Sequence, residues 1–124
     1  MAGSKGSKYY DVFLNYKIWL SYRDETILDE YLLKLLEAID KSGSLMTASK
    51  ELKISYRKAW GDLKKAEKTL GITFTDKVRG GKSGGKSILT EEGKNIINAY
   101  NELKNEFDVS LSKVTKKFFN TINK

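Results

Sequence analysis

The sequence contains neither cysteine nor histidine. Disulfide bonds are excluded, the usual zinc ligands are missing, and so are the thiolate and imidazole groups on which most nucleophilic triads and general acid–base schemes rely. The lack of cysteine fits a reducing compartment. No apolar run approaches the ~20 residues needed to span a bilayer, and the opening MAGSKGSKYY has no apolar core of the kind a signal peptide carries. The expectation is a soluble cytoplasmic protein that uses no metal and no cofactor. Carboxylates could still do chemistry, but Asp24-Glu25, Asp29-Glu30 and Glu91-Glu92 fall at turns or helix starts, where solvated or capping charge accounts for them. An enzyme is the least supported class.

What the chain does have is positive charge. Lys and Arg number 23 against 16 Asp and Glu, a net charge of +7 at pH 7, and the isoelectric point is near 9.5. That balance favours an anionic partner, nucleic acid ahead of an acidic membrane surface. At 124 residues the chain can build one core but not a large two-domain enzyme.

The most informative stretch runs from Ser42 to Thr90. Leu45, Ala48, Ser49 and Leu52 recur at i, i+3, i+4 and i+7, which predicts a short helix with one buried stripe. Lys53-Ile54 interrupts the pattern, and Ser55 offers a side-chain oxygen suited to capping a second helix. In that helix Ala59, Leu63, Ala66 and Leu70 recur at i, i+4, i+7 and i+11, leaving Tyr56, Arg57, Lys58, Gly61, Asp62 and Lys65 on other faces. A helix-turn-helix needs this division, because its recognition helix buries one side in its own domain and offers the other to the major groove. Amphipathic pairs are common in small helical domains, so the pair alone does not decide for DNA.

The residues that follow add weight. Ile72 to Arg79 (ITFTDKVR) reads as a strand and Ser87 to Thr90 (SILT) as a short return strand. Between them Gly80, Gly81, Gly84 and Gly85 permit close backbone approach, and Lys77, Arg79, Lys82 and Lys86 supply charge along the hairpin. That composition suits a wing lying along phosphate or in the minor groove. A flexible linker is the plainer alternative. A P-loop is not, since GGKSGGKS lacks the GxxxxGK[ST] spacing.

The remaining segments frame this unit. Residues 1–8 read as a flexible tail. Tyr9 to Leu20 alternates and is rich in aromatic and β-branched residues, with Arg23-Asp24-Glu25 as a turn and Thr26 to Leu28 as a return strand, which predicts a β-hairpin. Leu32, Leu33, Leu35, Leu36 and Ile39 predict a scaffolding helix that stops near Ser42-Gly43. Thr90 can cap a last helix, and Glu91 and Glu92 suit its positive end. Its apolar stripe continues through Ile96, Ile97, Tyr100, Leu103, Phe107, Leu111, Val114, Phe118 and Ile122. So long a stripe points to a second chain packed on it, a homodimer, unless the helix breaks near Asp108–Ser110 and folds back. The fold class is therefore mainly α with a small β part (α+β): a winged helix-turn-helix at about 9–90, its wing at 73–90, with an N-terminal β-hairpin and a C-terminal dimerisation helix at 91–124.

SGSL, ISYRKAW, the GGKSGG loop, ILTEEG and the helix carrying Ile97, Tyr100 and Leu103 together resemble the N-terminal domain of the molybdate-responsive transcription regulators, the ModE family. The resemblance covers roughly Ile18 to Leu103. It implies a homodimeric winged helix-turn-helix that binds operator DNA, with Ser55, Tyr56, Arg57 and Lys58 opening the recognition helix at 55–70 and Gly80 to Lys86 forming the wing. Trp60 also matches and is expected to pack behind the helix. Lys53 stands where that family usually has glycine, which puts the turn geometry in question. Regulators of this family join such a domain to an oxyanion-binding domain, and no molybdate site is expected in the residues present here.

The expected partner is double-stranded DNA. Ser55, Tyr56, Arg57, Lys58 and Lys65 are the candidate contacts on the helix, and Arg79, Lys82 and Lys86 those on the wing, with Arg57 and Lys58 placed to meet base edges or phosphate. Two other readings stay open: a sequence-nonspecific architectural protein with the same charge and wing, and a protein-interaction winged helix using Tyr9, Tyr10, Phe13, Tyr16 and Trp19.

Overall fold

Five of the helix starts and stops are set by single residues. The Asp29 side chain accepts from Leu32 N, Ser44 from Thr47 N and Ser55 from Lys58 N, so each helix begins with a side-chain oxygen on an otherwise orphan amide. Gly43 and Gly71 close two of them in the left-handed region, both at φ 71°. In the computed structural model, which describes residues 8–78 and 86–123, these signals give β1 (Leu20–Tyr22), β2 (Glu25–Leu28), α1 (Glu30–Ser42), α2 (Leu45–Glu51), α3 (Tyr56–Leu70), β3 (Thr75–Val78), β4 (Lys86–Leu89) and α4 (Glu91–Ile122). Among the described residues no helix is long and apolar enough to cross a membrane.

Two compact units result, Ile18–Tyr100 and the described residues up to Lys17 with those from Asn101 onward. In the first, α1 supplies Leu32, Leu33, Leu35, Leu36 and Ile39 to a core completed by Leu45 and Ala48 of α2, Ala59, Leu63 and Ala66 of α3, Phe74, Leu89 and Tyr100. Each large apolar side chain buried there contributes roughly 1.5–3 kcal/mol. The Tyr100 hydroxyl reaches out of this core to donate to Ile18 O at 2.6 Å. β1 and β2 pair as one antiparallel hairpin, with Arg23 and Asp24 at positive φ in its turn. β3 and β4 pair as another, Thr75 opposite Leu89 and Val78 opposite Lys86.

Phe74 ties three elements together. Its ring is fully buried. Its amide donates to the Glu67 carboxylate of α3 at 2.7 Å, and its carbonyl accepts from Thr90 N at 2.9 Å. Thr90 in turn caps α4: its Oγ1 accepts from Gly93 N at 3.0 Å and donates to Thr73 O. The wing strands are shorter than the sequence suggests because Ile72, Thr73 and Phe74 close the end of α3, Ile72 N bonding to Glu67 O at 3.2 Å, and do not extend the strand.

In the second unit the expected strand over Tyr9–Leu20 is not formed before Leu20. Strand β2 has only four residues to pair with, and two of the aromatic side chains upstream go to α4 instead. Tyr16 donates to the Asp108 carboxylate, and Tyr9 stacks near Phe119 with ring centroids 6.3 Å apart. Helix α4 runs through Asp108–Ser110 without a break, so it does not fold back.

A Cβ at Gly93 would lie 2.5 Å from Phe74 O, a backbone atom with no freedom to retreat. Gly93→Ala is therefore expected to cost about 1–3 kcal/mol, read as a lower urea midpoint with an unchanged slope.

Candidate nucleic-acid interface

The turn between α2 and α3 positions the site. Lys53 sits at φ 59°, the left-handed conformation that glycine adopts without strain. Lysine thus takes the glycine geometry and leaves it unchanged in kind. Ile54 N then bonds to Ser49 O at 3.0 Å, and Ile54 packs partly buried against the core, which directs the chain into α3.

On α3 the expected core face is found. Ala59, Leu63 and Ala66 are buried, while Ser55, Tyr56, Arg57, Lys58, Lys64, Lys65 and Lys68 are exposed. The structure distinguishes among these candidates. The Ser55 hydroxyl is engaged in capping, accepting from Lys58 N at 3.0 Å. Lys58 Nζ lies 3.0 Å from Asp62 Oδ2, the same oxygen that accepts from the Tyr31 hydroxyl at 2.8 Å, and it sits 5.4 Å from the Tyr31 ring centre. Lys65 Nζ lies 3.1 Å from Glu25 Oε2 of β2, and Lys64 Nζ 3.1 Å from Glu67 Oε1. Arg57 makes no ion pair among the described residues. The exposed pairs, Lys58–Asp62 and Lys65–Glu25, are worth about 0–1 kcal/mol, so a phosphate can displace them.

Trp60 departs from expectation. It is 44% exposed, with Lys64 Nζ 5.9 Å from the ring centre, and does not pack behind the helix. It shares an outer row with Tyr56, one turn earlier and 41% exposed. On the hairpin Lys86 is exposed at the start of β4. The strand is anchored by Ser87 N, which donates to Gly43 O at 2.8 Å, and by buried Leu89. Arg79, Lys82 and the four loop glycines lie outside the described residues, as does the side chain of Lys77.

Sequence reasoning missed Glu67, which sits at the buried end of the apolar stripe. Its carboxylate, 9% exposed, bridges Phe74 N and Lys64 Nζ. A carboxylate one position after Ala66 on a core-facing row, just ahead of a glycine stop, was the available signal. Nor did the sequence reveal that Tyr31 joins α1 to α3 through Asp62. Burial first, then the Asp62 hydrogen bond and the charges of Asp62 and Asp29, hold the Tyr31 phenol above its ordinary range.

No family model matches the sequence. Curated relatives include the molybdenum transport protein ModE of Azotobacter vinelandii, 30% identical over 92 residues, which are 74% of this chain and 34% of that protein. The DNA-binding transcriptional dual regulator ModE of Escherichia coli K12 is 30% identical over 84 residues, 68% of this chain and 32% of that protein. The chain thus spans about a third of the length of these relatives. Among solved structures, the CbnR DBD–DNA complex superposes with a TM-score of 0.53 at 19% identity, covering 68% of this chain and 92% of that one. The BenM DBD/benA site 1 DNA complex gives 0.50 at 21% identity, covering 68% and 90%. The fold is a winged helix.

Two outcomes test this geometry. Glu67→Ala strips the buried Phe74 amide of its acceptor and is expected to cost about 1–3 kcal/mol in denaturant unfolding. For Tyr31, the folded chain keeps a proton that the unfolded chain loses near pH ~10. Stability contributed by Tyr31 is therefore complete below that pH and declines as pH rises above it, and Tyr31→Phe should flatten the alkaline fall in melting temperature.

Proposed function

Because this chain is homologous over about two thirds of its length to a DNA-binding regulator named ModE, we propose that it is a DNA-binding transcriptional regulator that reads duplex DNA as a homodimer. The observation that carries the reading is the division of α3. One side is locked into the core, and the other presents Arg57, Lys64, Lys65 and Lys68, while the sequence that follows between β3 and β4 is basic and glycine-rich. In this reading α3 enters the major groove, and its first turns meet base edges. Arg57, with no ion pair to break, is the base-reading candidate, suited to bidentate contact with guanine. Lys58, Lys65 and the wing residues Arg79, Lys82 and Lys86 contact phosphate, which positions the domain and supplies salt-dependent affinity.

The dimer rests on α4. Phe107, Val114 and Phe118 are 52%, 59% and 51% exposed and recur at spacings of seven and four along it, the pattern of an a/d seam. Two copies joined there would present two recognition helices to a twofold site.

Selection from a pool of random duplexes, followed by a salt titration of the winner and of scrambled DNA, tests the function. Enrichment of a palindrome is expected. Salt-sensitive binding without enrichment would indicate an architectural protein, and no binding at low salt a protein-interaction domain. Arg57→Ala should cost about 1–3 kcal/mol on the selected site and relax preference there, whereas Lys86→Ala should weaken all sequences alike and reduce the salt slope by roughly one. Val114→Glu should yield monomers in sedimentation equilibrium and abolish the advantage of a two-half-site duplex over a single half-site.

A further inference from the structure

The four described glycines are not equivalent. Gly43 and Gly71 hold the left-handed conformation at helix ends, and Gly93 has no room for a Cβ. Gly61 has neither reason. It lies in the second turn of α3 at ordinary φ, is exposed, and a Cβ built on it meets nothing within 4 Å. Apart from proline, glycine is the least favourable residue in a helix interior, so the fold is weaker for having it there.

Its position on the helix supplies the missing reason. At about 100° per residue, the buried positions Ala59, Leu63 and Ala66 share one side of α3, and Gly61 faces directly away from them. Arg57 lies one turn before it, Lys64 and Lys65 one turn after it, and Lys68 a further turn on. The outermost line of the cationic face therefore carries a notch where the backbone is bare, with long side chains on either side. Bare backbone at the centre of a charged face is what close approach of another surface requires.

Resting on the reading of α3 as the recognition helix, we propose that Gly61 is the point of closest approach between α3 and the duplex, a specificity-determining position at which the absent side chain lets the helix sit deep in the major groove. Arg57 then reaches the base edges because Gly61 allows the helix axis near them. A side chain at 61 lifts the helix and draws Arg57 away, while lysines on long flexible stems still reach phosphate. The loss falls on sequence recognition and spares nonspecific affinity.

Wild type, Gly61→Ala and Gly61→Leu are compared for affinity to the selected duplex and to a scrambled one, with the melting temperature of each protein measured in parallel. Both variants should melt higher, Gly61→Ala by about 4 °C. Affinity for the selected duplex should fall about tenfold for Gly61→Ala and further for Gly61→Leu, and affinity for scrambled DNA should change less than about threefold. If wild type binds its duplex and Gly61→Ala binds it as well, the proposal for Gly61 fails while the DNA-binding reading stands. A lowered melting temperature would also overturn it, by giving Gly61 a structural role. A wild type that binds no duplex would refute the functional reading itself, and this proposal with it.

Discussion

The backbone of Phe74 is the point on which the winged unit depends. Its amide is satisfied by Glu67, its carbonyl by Thr90, and its ring by the core, so one residue joins the end of α3, the root of the β3–β4 hairpin and the start of α4. The connection is built from buried polar groups whose partners are all present. Among the described residues no buried side-chain polar atom lacks a partner. Such a network resists small rearrangements, because moving any member strands a donor or acceptor in a low-dielectric interior. The consequence reaches the outer face: the direction in which α3 presents Arg57 is set from behind by Glu67 and Phe74 and from the side by Tyr31 and Asp62.

The charge on α3 is correspondingly uneven. Lys58, Lys64 and Lys65 each have a carboxylate within 3.1 Å, supplied by Asp62, Glu67 and Glu25, whereas Arg57 has none among the described residues. Pairing at a surface does not remove Lys58 or Lys65 from service, since exposed pairs are weak and exchangeable, whereas the carboxylate beside Lys64 is buried on Phe74. It does set a threshold: phosphate must offer more than the carboxylate already does. Arg57 meets no such threshold. A count of the cations on α3 therefore overstates the field that the free helix presents, and binding should depend on where cations stand more than on how many there are.

Much of the fold was legible along the chain. Capping oxygens at Ser55 and Thr90, the glycine stop at Gly43, and stripes such as Ala59, Leu63 and Ala66 act within a turn or two of helix, so local spacing was enough to find them. Where reading by pattern failed, the deciding partner was distant. Residues 9–19 carry the alternation of a strand, yet β2 is too short to pair with them, and the rings of Tyr9 and Tyr16 are engaged with α4 instead. Trp60 looked like a core residue by size and aromaticity, but the angle at which it leaves α3 puts it on the outer row with Tyr56.

The sequence by itself determined the helix-turn-helix, the existence of a hairpin on either side of it and the cationic character of α3, because caps, turns and amphipathic periods are written in neighbouring residues. Only the tertiary structure decided that Glu67 is buried on Phe74, that Tyr31 shares the Asp62 oxygen with Lys58, that Lys65 meets Glu25, and that Gly61 stands at the centre of the outer face with nothing near it. Those are relations between residues brought together from different elements, or the lack of any such neighbour. No one-dimensional spacing encodes which side chains will share the same few ångströms.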